Sequence, residues 1–132
     1  MRVFIDTDII LDVLLCREKH FRDSAAILDW AEANPGSSFV SWHGLSNIHY
    51  LSKGGAERFI GELLEFAEVP TTGTNDMRKA LALDFSDLED AMQVAAAMRG
   101  GAQYIVTRNE SDYSNSPVKV LSPGECLGIL GH

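Results

Sequence analysis

Short apolar runs separated by helix-length segments limit this chain to one fold class. Val3-Phe4-Ile5, Phe39-Val40, Tyr104-Ile105-Val106 and the stretch from Val118 to Leu121 have the composition of buried strands. Between them lie apolar residues at helical spacing, from Ile9 to Cys16, Phe21 to Ala33, Ser41 to Leu51, Ala56 to Ala67, Asp76 to Leu83 and Asp87 to Arg99. Strands that alternate with helices run parallel, and a parallel sheet is covered by helices on both faces. The expectation is an α/β fold with four to five short strands, Val69-Pro70 being at most an edge strand. A chain of 132 residues forms one domain, here spanning residues 1–132, and buries roughly two-thirds of its unfolded surface.

Local signals place several boundaries. Asn34-Pro35-Gly36 stops the second helix, and Ser41 has the side chain to cap the third. Pro123 fits the first position of a terminal helix running to Leu130. Ser86-Asp87-Leu88-Glu89 has the spacing of a capping box, with Ser86 as cap and Glu89 returning to its amide. Asp8 is the expected cap of the first helix, since it immediately precedes the apolar pattern.

Net charge is −8 with a pI near 4.8, which argues against broad electrostatic capture of nucleic acid. It leaves room for a metal-dependent enzyme, whose site must itself be acidic. Arg17, Lys19, His20 and Arg22 cluster after the first helix, as a solvated connection or as a phosphate-steering patch. Cys16 and Cys126 read as two buried free thiols of a reducing compartment, so the cytoplasm is expected. No run approaches the ~18 apolar residues of a membrane span, and Asp6 and Asp8 break the apolar N-terminus before it could serve as a signal peptide.

Three carboxylates stand out. Asp6 follows the first strand and Asp112 lies beyond the strand ending at Val106, and strand ends of an open α/β sheet meet at one crevice. Asp90 falls one position too late for the capping box, on a helix otherwise rich in Ala, Met and Val. A buried unpaired carboxylate costs several kcal/mol, and three meeting acids repel unless a hard cation joins them. Asp87, three residues before Asp90 on the same helix face, has a structural reason in the first turn and could also serve as an auxiliary ligand. Thr107 and Asn109 are either turn residues or groups that orient a carboxylate. His43 and His49 lie six apart on different helix faces with no cysteine pair, which argues against zinc. Asp6-Thr7-Asp8 after a strand suggests a HAD-type phosphotransferase as a remote alternative, but Ile9-Ile10 follow where that family wants a Gly-Thr pair.

With these residues in hand, the chain resembles PIN domains, and among them the toxin-nuclease (VapC-like) branch of type II toxin–antitoxin systems. The matching pieces are Val3-Phe4-Ile5-Asp6-Thr7-Asp8, Leu88-Glu89-Asp90-Ala91-Met92-Gln93, Ile105-Val106-Thr107-Arg108-Asn109 through Asp112-Tyr113, and Leu121-Ser122-Pro123-Gly124-Glu125. They cover essentially the whole chain in order and spacing. The resemblance implies a three-layer α/β/α fold and Mg2+- or Mn2+-dependent cleavage of single-stranded RNA. It implies Asp6, Asp90 and Asp112 as metal ligands, with Thr107 beside them. In the helix after Ser41 the family usually carries a Glu, and this chain offers only Asn47 or Ser46; the Asn47 carbonyl oxygen would be a weaker ligand. A cognate antitoxin and a second copy of the chain are the implied partners. The alternative is a catalytically weakened PIN-like domain that binds RNA or protein, its acidic crevice taking an arginine from a partner tail.

Overall fold

A computed structural model describes residues 1–131 and has the expected layers. Five parallel strands, β1 (Val3–Ile5), β2 (Ser38–Phe39), β3 (Ala67–Glu68), β4 (Tyr104–Val106) and β5 (Lys119–Leu121), form one sheet in the order β3-β2-β1-β4-β5. The chain leaves the central β1 outward through β2 to β3, then crosses back to lay β4 on the other side. The order therefore reverses between β1 and β4, where open α/β sheets bind ligands.

Both sheet faces are buried, so β1 reads as unbroken apolar sequence rather than as an alternation. Val3 and Ile5 face one layer, built by α1 (Thr7–Leu14), α2 (Phe21–Ala33), α3 (Trp42–Leu51), α4 (Glu57–Leu63) and α7 (Pro123–Ile129). Phe4 faces the other, where it meets Phe39, Ile105 and the Val94, Ala96 and Ala97 side of α6 (Leu88–Gly100). α5 (Thr74–Ala82) backs α6 through Ala80, Ala91 and Ala95. Small residues explain how α6 is sandwiched there: alanines let helix and sheet approach closely while losing little side-chain entropy. Gly101, at φ 71, ends α6 in the left-handed conformation that glycine adopts freely. No helix among the described residues is long and apolar enough to cross a membrane.

Five local expectations are corrected. α1 starts at Thr7 and is capped by Asp6, whose Oδ1 accepts from the Asp8 amide at 3.4 Å, so Asp8 lies inside the helix. α6 is capped by Asp87, which accepts from the Glu89 amide at 2.9 Å; Ser86 lies outside, and Glu89 is free to turn elsewhere. α4 ends at Leu63 despite continued apolar spacing, because the backbone beyond it is claimed by the sheet. Gly36 donates to Phe66 O and Val40 to Glu68 O, which puts the edge strand at Ala67–Glu68 instead of Val69-Pro70. Cys126 is buried, but Cys16 is exposed, since α1 closes at Leu14 and Cys16 sits beyond it at φ 50.

Gly44 is required where α3 crosses α1. A Cβ there would lie 2.5 Å from Thr7 Oγ1 and 2.6 Å from Ser41 Oγ. Both hydroxyl oxygens are already engaged, Thr7 with Gln93 and Ser41 with the Gly44 amide. Gly44→Ala gains about 1 kcal/mol of helix propensity and loses about 1–3 kcal/mol to overpacking. Urea melts are expected to show net destabilisation; a stabilised variant would mean that α1 and α3 separate easily.

Candidate active site

Asp6 and Thr107 are the first residues beyond β1 and β4, so the sheet itself brings them together at the switch point. The Thr107 hydroxyl donates to Asp6 Oδ2 at 2.6 Å and accepts from the Asn109 amide at 3.0 Å. Because that amide can only donate, the hydroxyl proton must point at Asp6. Asn109 Nδ2 in turn donates to Asp8 Oδ2 at 3.2 Å. Thr107 thus fills both the turn role and the orienting role expected of it, whereas the Asn109 side chain fills only the orienting one, toward Asp8.

From the opposite layer, α6 supplies Asp90 and, one turn later, Gln93. Gln93 is 4% exposed, and its Nε2 donates to Asp6 Oδ1 and to the Tyr113 hydroxyl, both at 2.9 Å. Its Oε1 accepts from the Thr7 amide at 3.2 Å and the Thr7 hydroxyl at 3.1 Å, satisfying one of the amides that the first turn of α1 leaves open. Tyr113 closes a 3-10 turn (Glu110–Tyr113) after β4, and its hydroxyl donates to Asp90 Oδ1 at 3.3 Å. Its ring packs edge-on against Phe85.

The acids share one electric field. Burial pushes the Asp90 carboxyl up to about 6, and the charges of Asp87, Asp6 and Asp112 add to the rise against the opposing Tyr113 bond. Burial also raises Asp6, opposed by its bonds from Thr107 and Gln93. Tyr113 is held in its protonated form by burial and by the charges of Asp6 and Asp90. Asp112 is exposed on the 3-10 turn and reaches the cluster through its charge.

A cavity of about 150 Å3 opens here, lined by Asp6, Asp87, Glu89, Asp90, Asn47 and His43 among others. Asn47 Nδ2 donates to Glu89 Oε2 at 3.2 Å, so a carboxylate stands against Asn47 even though α3 itself brings none. His43 Nε2 is buried with no hydrogen-bond partner, and burial lowers its pKa, leaving it neutral at pH 7. Chemically, this donor set of hard oxygens under mutual repulsion suits a divalent cation such as Mg2+ or Mn2+. Geometrically the cage is open: among the described residues, no three His, Cys, Asp or Glu side chains are arranged to hold an ion.

Behind the crevice lies a second buried acid. Asp12 is fully buried on α1 and accepts from Arg108 Nε at 2.8 Å and Nη2 at 3.1 Å, from Ser24 Oγ at 2.8 Å and from Arg17 Nη1 at 3.4 Å. Arg17 also reaches Asp8 at 3.7 Å, so one member of the basic cluster turns back to α1 instead of outward. Sequence reasoning missed Gln93, Tyr113, Glu89 and the Asp12–Arg108 pair. A signal existed for two of them, since Gln93 and Asp12 each interrupt an apolar helix face.

Comparison with known proteins agrees with this architecture. The model of the PIN domain family matches residues 2–111. A curated relative, Ribonuclease VapC1 of Aquifex aeolicus (strain VF5), is 26% identical over 133 residues, covering 94% of this chain and 92% of the relative. Among solved structures, a toxin–antitoxin complex from Klebsiella pneumoniae aligns with a TM-score of 0.68 at 23% identity, covering 93% of this chain and 98% of that one. VapBC2 from Rickettsia felis, bound to a DNA fragment from its promoter, aligns with a TM-score of 0.67 at 17% identity, covering 92% and 98%. At these identities the solved structures establish the three-layer α/β/α fold.

Proposed function

Because this chain belongs to the PIN domain family, we propose that it is a metal-dependent endoribonuclease acting on single-stranded RNA, the toxin of a toxin–antitoxin pair. The observation that carries this reading is the convergence of Asp6 and Asp90 on one crevice at the sheet's switch point, with Gln93 bonded to Asp6 and, through Tyr113, linked to Asp90. The 26% identical ribonuclease relative and the toxin–antitoxin neighbours support it. Asp6 and Asp90 would hold Mg2+ or Mn2+, with Asp112 completing the set and Asp87 auxiliary. A bound divalent ion supplies charge neutralisation at a phosphodiester under in-line attack by water. Thr107 fixes Asp6 through its directed hydroxyl, and Asn47 holds the Glu89 carboxylate at the rim. The working compartment is the cytoplasm.

An acidic protein with an acidic crevice suits a basic partner segment, because an arginine can pair bidentately with carboxylates there. A cognate antitoxin is therefore the proposed protein partner, and a second copy of the chain the proposed assembly. Asn47 favours a second reading, a weakened nuclease that binds RNA or protein, because an amide brings less charge to the cation than a carboxylate.

The deciding experiment compares the purified wild type with Asp6→Asn on a single-stranded RNA, with and without Mn2+. Wild-type cleavage should need the ion, and Asp6→Asn should lose about a hundredfold or more, equivalent to about 2.7 kcal/mol of barrier. Equal residual cleavage by both would point to a contaminating nuclease and sink the assignment. RNA binding without cleavage would favour the second reading.

A further inference from the structure

Gln93 and Tyr113 form a chain of hydrogen bonds whose direction is fixed at every step. The Thr7 amide is a donor only, so the Gln93 atom facing it must be the carbonyl oxygen. Nε2 therefore faces the other way, and its two protons go to Asp6 Oδ1 and to the Tyr113 oxygen. With an N–H already donated to it, the Tyr113 hydroxyl keeps its own proton for Asp90 Oδ1. Gln93 is 4% and Tyr113 2% exposed, so both residues that carry the relay are shielded from water, and reversing any of its bonds would leave a buried donor facing a donor.

We propose that Gln93 and Tyr113 are positioning residues that fix the Asp90 carboxylate relative to that of Asp6, and so set the spacing of the two cation ligands. The inference rests on the metal-dependent reading above and goes beyond it, by assigning the spacing to an uncharged relay and not to the acids alone. The relay starts on the first turn of α1, passes through Gln93 of α6 to Tyr113 on the turn after β4, and returns to α6 at Asp90, so three elements meet in it. Thr107 does for Asp6 Oδ2 what Tyr113 does for Asp90 Oδ1: each is a hydroxyl whose proton is aimed by an N–H behind it. Outer partners of this kind usually affect metal affinity or activity 10–100-fold.

The test uses Tyr113→Phe, which removes the hydroxyl and keeps the ring against Phe85, and Gln93→Met, which keeps volume and removes the amide. Calorimetric titration with Mn2+ should show Kd weakened about tenfold in each variant. At saturating Mn2+, kcat on single-stranded RNA should fall about tenfold while KM stays within about twofold. The double variant should be no worse than the worse single one, because the two act in series. Wild-type Mn2+ affinity and kcat in Tyr113→Phe, whatever happens to its melting temperature, would make Tyr113 a packing residue and overturn the proposal alone. Failure of the wild type itself to bind Mn2+ would overturn both the proposal and the metal-dependent reading.

Discussion

Asp90→Asn is expected to reduce Mn2+-dependent cleavage by about a hundredfold or more and, at the same time, to make the metal-free protein more stable at pH 7.5. The second effect follows from the crowding of acids. Asp90 titrates at about 6, above its ordinary 3.8, because burial and the charges of Asp87, Asp6 and Asp112 disfavour its ionised form. A carboxyl whose folded pKa is raised adds stability while protonated, at pH values below about 4. It loses that contribution as pH climbs through about 6, so at pH 7.5 the ionised group opposes folding. A shift of this size is about 3 kcal/mol at full value, and solvent screening of a half-buried carboxylate cuts it to about 1 kcal/mol. Asparagine removes the charge and still accepts the Tyr113 proton. The metal-free melting temperature at pH 7.5 should therefore rise by about 3–5 °C, and the gain should vanish near pH 4. Saturating Mn2+, at about 100 times Kd, should stabilise the wild type by about 2.7 kcal/mol and the variant hardly at all. A variant that melts lower than wild type without metal at pH 7.5 would make Asp90 a structural residue.

Which acids converge on the crevice was legible where the backbone alone decides position. Asp6 and Thr107 follow strands, and residues beyond parallel strands share one edge whatever their side chains do. Asp90 was legible because nothing in its helix explained a carboxylate there. The capping roles were not, since Ser86 and Asp87 both have side chains able to cap, and only the path of the chain before α6 selects Asp87. That selection has a consequence at the site, because it releases Glu89 to meet Asn47. The edge strand at Ala67–Glu68 was hidden for a different reason: Phe59, Ile60, Leu63, Leu64 and Phe66 keep helical spacing through a point where sheet pairing takes the backbone. The Gln93 relay needs α1, α6 and the turn after β4 at once, and no local pattern records contacts across 86 and 20 residues.

Arg108→Met is expected to destabilise the fold by about 3 kcal/mol, the largest stability loss among these substitutions. Asp12 has no exposed surface, and Arg108 gives it a bidentate pair from a guanidinium that is itself 19% exposed. Removing one partner of a buried ion pair leaves an uncompensated charge, which costs about 3–5 kcal/mol. Ser24 at 2.8 Å and Arg17 at 3.4 Å remain to Asp12, which places the expected value at the lower end. Arg17→Met should cost under about 1 kcal/mol, because its contact is longer and its side chain is 36% exposed. Urea melts separate the two, and a cost of Arg108→Met as small as that of Arg17→Met would mean that water reaches Asp12. Adding Asp12→Asn to Arg108→Met removes the stranded charge, so the double variant should recover part of the loss. Arg108 also follows Thr107 directly, so its anchor on α1 holds the segment that carries Thr107, Asn109 and Asp112. The double variant regains charge balance but not that anchor, and its cleavage should stay below wild type after its stability has partly returned. Full recovery of both would confine the Asp12–Arg108 pair to stability.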